Sequence, residues 1–309
     1  MVPRAEPRSY YGQPIIKEPV WSPEIAWYIF VGGLAGASAP LAWLAEATGN
    51  RRLARPAWLV ALLGAVISPV LLVKDLGRPE RFLHMLRMLK VTSPMSIGSW
   101  VLSGFGATTG LAVMHELCGW FPRVGRLSKA ASALLGHGLA SYSAILLADT
   151  AVPVWHEAAG ELPFVFVGSA VASAGAAGAI LAPVIDAAPA RRLALLGATV
   201  EQAATQVMEH RLGELGEPYH QGDAGRYAKA AKALTGAGAV TIAGLGRRRS
   251  AAVAGGLMVL AGSVFRAGLY SAPDLPRRPI PSTSSVRSAA VWPSARRTAF
   301  AKRRPAPRA

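Results

Sequence analysis

Hydrophobic and polar positions along this chain fall in long blocks. Ile25–Ala45, Pro56–Val73, Val91–Met114, Ala130–Ala148 and Leu162–Ile185 contain no Asp, Glu, Lys or Arg. Each approaches or exceeds the ~18–20 residues that a helix needs to cross hydrocarbon. Three weaker blocks follow: Arg191–Met208, which carries Glu201 and Gln202; Lys229–Gly246; and Ser250–Ser271, which carries Arg266. A charge at mid-membrane costs ~2.5–3.5 kcal/mol on insertion scales, so these helices are expected to turn their polar residues toward protein or water. The pattern predicts an all-α integral membrane protein with a bundle of about eight transmembrane helices. Small-residue stretches such as Gly32–Ala37 and Ala172–Ala179 predict close approach between them.

Three segments follow from the blocks: an extramembrane N-terminal piece over 1–23, the helical membrane domain over 24–272, and a basic tail over 273–309. The tail is rich in Pro and Ser, has no apolar period, and reads as disordered. Met1–Glu24 is too polar for a signal-peptide core. Ala37-Ser38-Ala39 imitates a cleavage site, but the apolar run continues past it, so a retained first helix is expected.

Composition agrees with a membrane. Hydrophobic residues make up 52% of the 309, and charged residues only 16%, against about 25% charged in soluble domains. The net charge of +16 would suggest nucleic acid in a soluble protein. Here the bases sit in short interhelical loops and the tail, so membrane topology accounts for them and nucleic acid is not expected as a partner. In an eight-helix serpentine, one face (the even side) holds the N-terminus, the connections after the second, fourth and sixth helices, and the C-terminus. The other face, the odd side, gathers Arg51, Arg52, Arg55, Arg123, Arg126, Lys129, Arg191, Arg192 and Arg247–Arg249. The positive-inside tendency makes the odd side cytoplasmic, although the basic tail opposes that choice. Cys118 is the single cysteine, so the chain can build neither an intrachain disulfide nor a Cys₄ cluster, and no metal or haem of its own is expected. His115 and His137 leave a bis-histidine haem as an alternative reading.

Four polar features converge on the even side: Glu24 and Tyr28 opening the first helix, Lys74–Phe82 after the second, Thr92–Trp100 opening the third, and Asp149–Glu157 after the fourth. Tyr142 and Asp149 lie seven residues apart, on one helical face. Such a set suits a ubiquinone- or menaquinone-type head group, which needs donors for its carbonyls, an apolar slot for its ring and carboxylates for its protons. Tyr142, Asp149 and Asp75 are the catalytic candidates, and Glu24, Tyr28, Arg78, Trp100 and Tyr142 the candidate quinone contacts. Asp75 and Arg78 read alternatively as an exposed ion pair, and Trp100 and Trp155 as interfacial belt residues. Arg81, His84, Arg87 and Lys90 recur every third residue and predict an interfacial amphipathic helix or a partner-docking surface. Glu201 and Arg266 are candidates for a proton pathway, with a structural ion pair or a transporter's midplane substrate site as the competing readings.

The stretches Tyr10-Tyr11-Gly12-Gln13-Pro14, Pro19-Val20-Trp21, Gly32–Gly36, Asp75–Phe82, Thr92–Trp100, Ser141–Ala144 and Thr150–Trp155, in that order, closely resemble the NrfD/polysulfide reductase membrane-subunit family. The resemblance runs from about Tyr10 to Tyr270. It implies an eight-helix quinone-binding anchor in the bacterial cytoplasmic membrane. Such an anchor exchanges electrons with a ferredoxin-like iron–sulfur subunit joined to a molybdopterin catalytic subunit. Two features depart from the family pattern: Asp149 stands where Asn is expected, and the ending after Tyr270 is not the usual short one.

Overall fold

A computed structural model describes residues 23–75, 80–119, 121–150 and 152–270. Among these residues there is no strand. Eight helices of 20 residues or more form the body: α1 (Pro23–Ala47), α2 (Arg51–Asp75), α4 (Pro94–Cys118), α5 (Pro122–Ala148), α7 (Leu162–Leu181), α8 (Ala188–Leu212), α9 (Gly222–Leu245) and α10 (Arg249–Tyr270). Two five-residue helices, α3 (Arg81–Met85) and α6 (Pro153–Glu157), lie in even-side connections. The expected N-terminal segment, the tail and Arg78 fall outside the described residues.

Six of the long helices, all but α8 and α9, are long and apolar enough to cross a membrane, which makes the chain a multi-pass membrane protein. α8 carries Glu201, Gln202 and Glu209, and α9 carries Lys229 and Lys232. Their length matches the others, but their composition does not meet the requirement for a lipid-facing span. Local sequence explains the helix starts. Proline stands in the first turn of α4, α5, α6, α7 and α8, where its missing N–H costs nothing. Gly119 closes α4 at φ +71°, a conformation that glycine adopts without strain.

The helices pack as two groups of four. α1, α2, α4 and α5 form one and α7 to α10 the other; α1 and α5 meet α7 along the seam, where α1 also touches α10. Glycine sets the closest crossings. A methyl on Gly136 would sit 2.3 Å from the carbonyl oxygen of Gly36, and one on Gly175 would sit 2.3 Å from the nitrogen of Ala194. Close backbone approach of this kind replaces the hydrophobic drive that lipid does not supply between helices.

Opposite the quinone-candidate face, the first group is tied by charge. Lys129 is 3% exposed, and its Nζ lies 2.6 Å from Glu46 Oε1 and 2.7 Å from Glu116 Oε2. Arg55 also reaches Glu116 at 3.3 Å, and the Trp58 indole N–H donates to Glu46 at 3.4 Å. Lys129 is therefore not the solvated loop base that the sequence suggests. It is a buried cation joining α1, α4 and α5, and Glu46 and Glu116 are its counter-charges. Trp155 departs from expectation in the same way: it is 1% exposed, a core residue and not part of an interfacial belt.

Candidate functional site

The ends of α1, α2, α4 and α5, with α3 beside them, enclose an even-side cavity of about 400 Å³. That volume lies within the range of small-molecule sites. Tyr28, Asp75, Ser99, Tyr142, Ser143, Asp149 and Thr150 supply its polar lining, and Ile25, Ile29, Leu72, Met85 and Met95 are among its apolar walls. Four of the residues singled out in the sequence are thus brought together: Tyr28, Asp75, Tyr142 and Asp149.

Tyr142 is 8% exposed and meets Tyr28 edge to face, with ring centroids 6.4 Å apart. Its ring also lies against the backbone of Gly98 on α4, where a methyl would come within 2.2 Å of Cε2. The Tyr28 hydroxyl is buried and has no hydrogen-bond partner among the described residues, a state that costs about 1–3 kcal/mol unless something else supplies a bond. Asp149 caps α5, its N–H donating to the Ile145 carbonyl at 3.0 Å while its side chain stays exposed. The helix stops there because Pro153 follows closely and begins α6. Two carboxylates at the membrane edge and two phenols deeper in make a site that can donate to a carbonyl and accept from a hydroxyl.

Other candidates lie elsewhere. Glu24 pairs with Lys74 at 2.7 Å, linking α1 to the end of α2. Trp100 is 42% exposed, outside the cavity lining, and its indole N–H donates to the Met88 carbonyl at 3.4 Å. The helix expected to carry Arg81, His84 and Arg87 ends at Met85. Beyond it the Ser96 hydroxyl accepts from the Lys90 N–H at 3.0 Å and donates to the Met88 carbonyl at 3.2 Å. α4 thus supplies bonds that a longer helix would otherwise have to make. His84 and Arg87 are exposed on this even-side connection, and Leu83, Met88 and Leu89 beside them are exposed too.

Glu201 on α8 and Arg266 on α10 form a buried ion pair, Nε to Oε1 at 2.8 Å, with exposures of 0% and 3%. This is the structural pairing that stood as a competing reading of the sequence. His115 and His137 do not meet. His115 packs against Gly125 on α5, twelve residues from His137 on the same helix, or about 18 Å at 1.5 Å per residue. One iron cannot be ligated by both. Among the described residues no group of three or more His, Cys, Asp or Glu could hold a metal ion.

Sequence reading missed Gly98 and Ser143 as parts of this site. Both stand inside stretches that were noticed, but only the packing of α4 on α5 shows what they touch. A larger cavity of about 510 Å³ lies between α1, α5, α7 and α8, and among the described residues its polar side chains are His137, Ser141 and Thr48. With no carboxylate among those residues it is a weaker candidate for redox proton chemistry.

No curated protein matches the chain. The polysulphide reductase NrfD family matches residues 14–192, more than half of the sequence. That span includes every residue of the even-side cavity. By that match the chain belongs to the NrfD polysulphide reductase family, whose members are membrane subunits of oxidoreductase complexes.

Proposed function

We propose that this chain is the quinone-reactive membrane subunit of an oxidoreductase complex in the cell membrane. It exchanges electrons between the membrane quinone pool and a partner iron–sulfur subunit, itself joined to a molybdopterin catalytic subunit. The observation that carries the reading is the even-side cavity, where the partnerless Tyr28 hydroxyl and Tyr142 share one space with Asp75 and Asp149.

The chemistry follows from those groups. A phenol can donate to a quinone carbonyl, and a carboxylate at the cavity mouth can accept a proton from a quinol hydroxyl. Oxidation of one quinol releases two protons, which Asp149 and Asp75 receive, and two electrons, which leave to the partner's iron–sulfur cluster; reduction reverses each step. Ile29, Leu72 and Met95 give the ring an apolar slot. The exposed bases on and beyond α3 fit docking of the partner near the cavity mouth, and Arg87→Glu should weaken that association. Continuous long helices, with Glu201 and Arg266 bound to each other, speak against a transporter, where discontinuous helices form the site.

Tyr142→Phe tests the assignment, since it keeps the aromatic volume and removes one hydroxyl. Quinol-analogue oxidation by the assembled complex should fall roughly two- to tenfold, the value of one hydrogen bond at about 0.5–1.5 kcal/mol. Dye-linked turnover of the soluble substrate should stay unchanged. Parental quinol turnover in this variant would place the quinone elsewhere.

A further inference from the structure

A second polar region lies on the seam between the two helix groups. There a cavity of about 30 Å³ is bounded by α1, α5, α7 and α10, and its polar lining is Ser143, Ser169, Ser173, Ser263, Arg266 and Tyr270. One water needs about 10–15 Å³ by this measure, so the space fits one or two. Ser143 and Ile29 line both this cavity and the larger even-side one, so a wall one residue thick separates them. Ser173 and Ser263 bond to each other at 2.8 Å. Arg266 Nη2 and the Tyr270 hydroxyl are buried with no hydrogen-bond partner among the described residues. Buried groups in that state are satisfied by water when there is room for it, and here there is.

The polar column continues past the ion pair. Thr205 and Glu209 follow Glu201 at successive helical turns of α8, about 6 Å each. The Thr205 hydroxyl is buried and has no hydrogen-bond partner among the described residues. Glu209 bonds Lys232 on α9 at 2.5 Å, and both side chains are partly exposed, at 16% and 31%. α8 runs toward the even side, so Glu209 lies near the face that also bears the quinone cavity. Toward the odd side α7 and α8 are in contact: a methyl on Gly197 would sit 2.2 Å from the nitrogen of Ala172, and one on Gly175 is equally excluded. The polar column therefore does not continue between these two helices toward the odd side.

We propose that this column is a water-bridged proton conduit between the quinone cavity and the exterior. It runs through Ser143, the Arg266–Glu201 pair and Thr205 to Glu209, and it opens on the same membrane face as the quinone cavity. It rests on the quinone reading above. When a quinol is oxidised, its two electrons pass to the partner's iron–sulfur cluster and its two protons to the cavity carboxylates. One of those protons then moves by hydrogen-bond exchange along the column to bulk water, with no heavy-atom bond made or broken. The path is lateral and returns to its own face, and it gives the site a proton exit that a subunit docked over the cavity mouth leaves open.

The test uses the assembled complex in proteoliposomes with a pH dye confined to the compartment facing α3. Thr205→Val keeps shape and removes the hydroxyl, and Glu209→Gln removes the carboxylate at the mouth. Neither leaves the buried Arg266 charge unpaired, as Glu201→Gln would. In both, quinol-analogue turnover should fall by about 10²-fold, the lower range of what a positioned proton-transfer group supplies. KM for the quinol and dye-linked turnover should hold, and the solvent deuterium isotope effect should grow. Protons should appear in the α3-facing compartment. Parental turnover and isotope effect in both variants, or release into the opposite compartment, overturn the conduit. Parental quinol turnover in Tyr142→Phe would instead overturn the quinone site, so the two failures are separable.

Discussion

Gly98→Ala probes the site without removing any group assigned to its chemistry. A methyl at Gly98 would lie 2.2 Å from Cε2, 2.6 Å from Cδ2 and 2.9 Å from Cζ of Tyr142. Carbon atoms rest at about 3.5 Å or more, so either the ring or the start of α4 must move by more than about 1 Å. Overpacking of this kind costs about 1–3 kcal/mol of stability. The ring has little freedom to answer, since Tyr142 is 8% exposed and Tyr28 lies against it. A displacement near 1 Å in a positioning group can reduce turnover by about 10²-fold, more than the loss expected for Tyr142→Phe. The assay is quinol-analogue oxidation beside dye-linked turnover on the same assembled complex, with Tyr142→Phe and the double variant in parallel. In the double variant the losses should not multiply, because ring position matters less once the hydroxyl is gone. Unchanged quinol turnover in Gly98→Ala would refute the argument that this contact fixes the ring.

Two further outcomes follow. Lys129→Met leaves Glu46 and Glu116 facing each other without their shared cation; removing one partner from a buried network costs about 3–5 kcal/mol. The thermal midpoint in detergent should fall, and Glu46→Gln with Glu116→Gln in the same chain should restore it; an unchanged midpoint in Lys129→Met would show the cluster to be energetically idle. The Arg211 guanidinium, hydrogen-bonded at 2.5 Å, holds the Glu161 carboxyl below the usual carboxylate range. A lowered folded value means that this pair stabilises above the ordinary unfolded value near about 4.3 and that the contribution is lost as pH falls through the lowered one. The pair is partly solvated, so the effect should be at most about 1 kcal/mol. It is read as a flatter acid limb of midpoint against pH in Arg211→Met, and identical limbs would contradict it.

The sequence by itself determined the helices. Charge-free runs such as Ile25–Ala45 and Pro56–Val73 became α1 and α2 with ends extended by a few residues, because hydrocarbon demands that every backbone group be satisfied within its own segment. The three weaker blocks became helices as well, but only α10 among them is apolar enough to qualify as a span by composition. The convergence of Tyr28, Asp75, Tyr142 and Asp149 was legible from helix count and parity, since alternating helices return their ends to one face. The pairing of Glu201 with Arg266 was legible as one of two readings, because two opposite charges on polar helices have few ways to be satisfied in a membrane.

Tertiary structure decided what depends on rotation and depth. Whether a residue on a known helix faces a cavity, a neighbour or lipid is set by packing against segments distant in sequence. Thus Trp100 turned away from the cavity while Gly98, two positions before it, came to fix the Tyr142 ring. Lys129 looked like a loop base until α1 and α4 placed Glu46 and Glu116 around it. His115 and His137 looked like a possible pair, and their depths in the bundle separated them. The small seam cavity left no trace in the sequence at all: its serines come from three helices, and ordinary helix serines become a polar chamber only when those helices close around them.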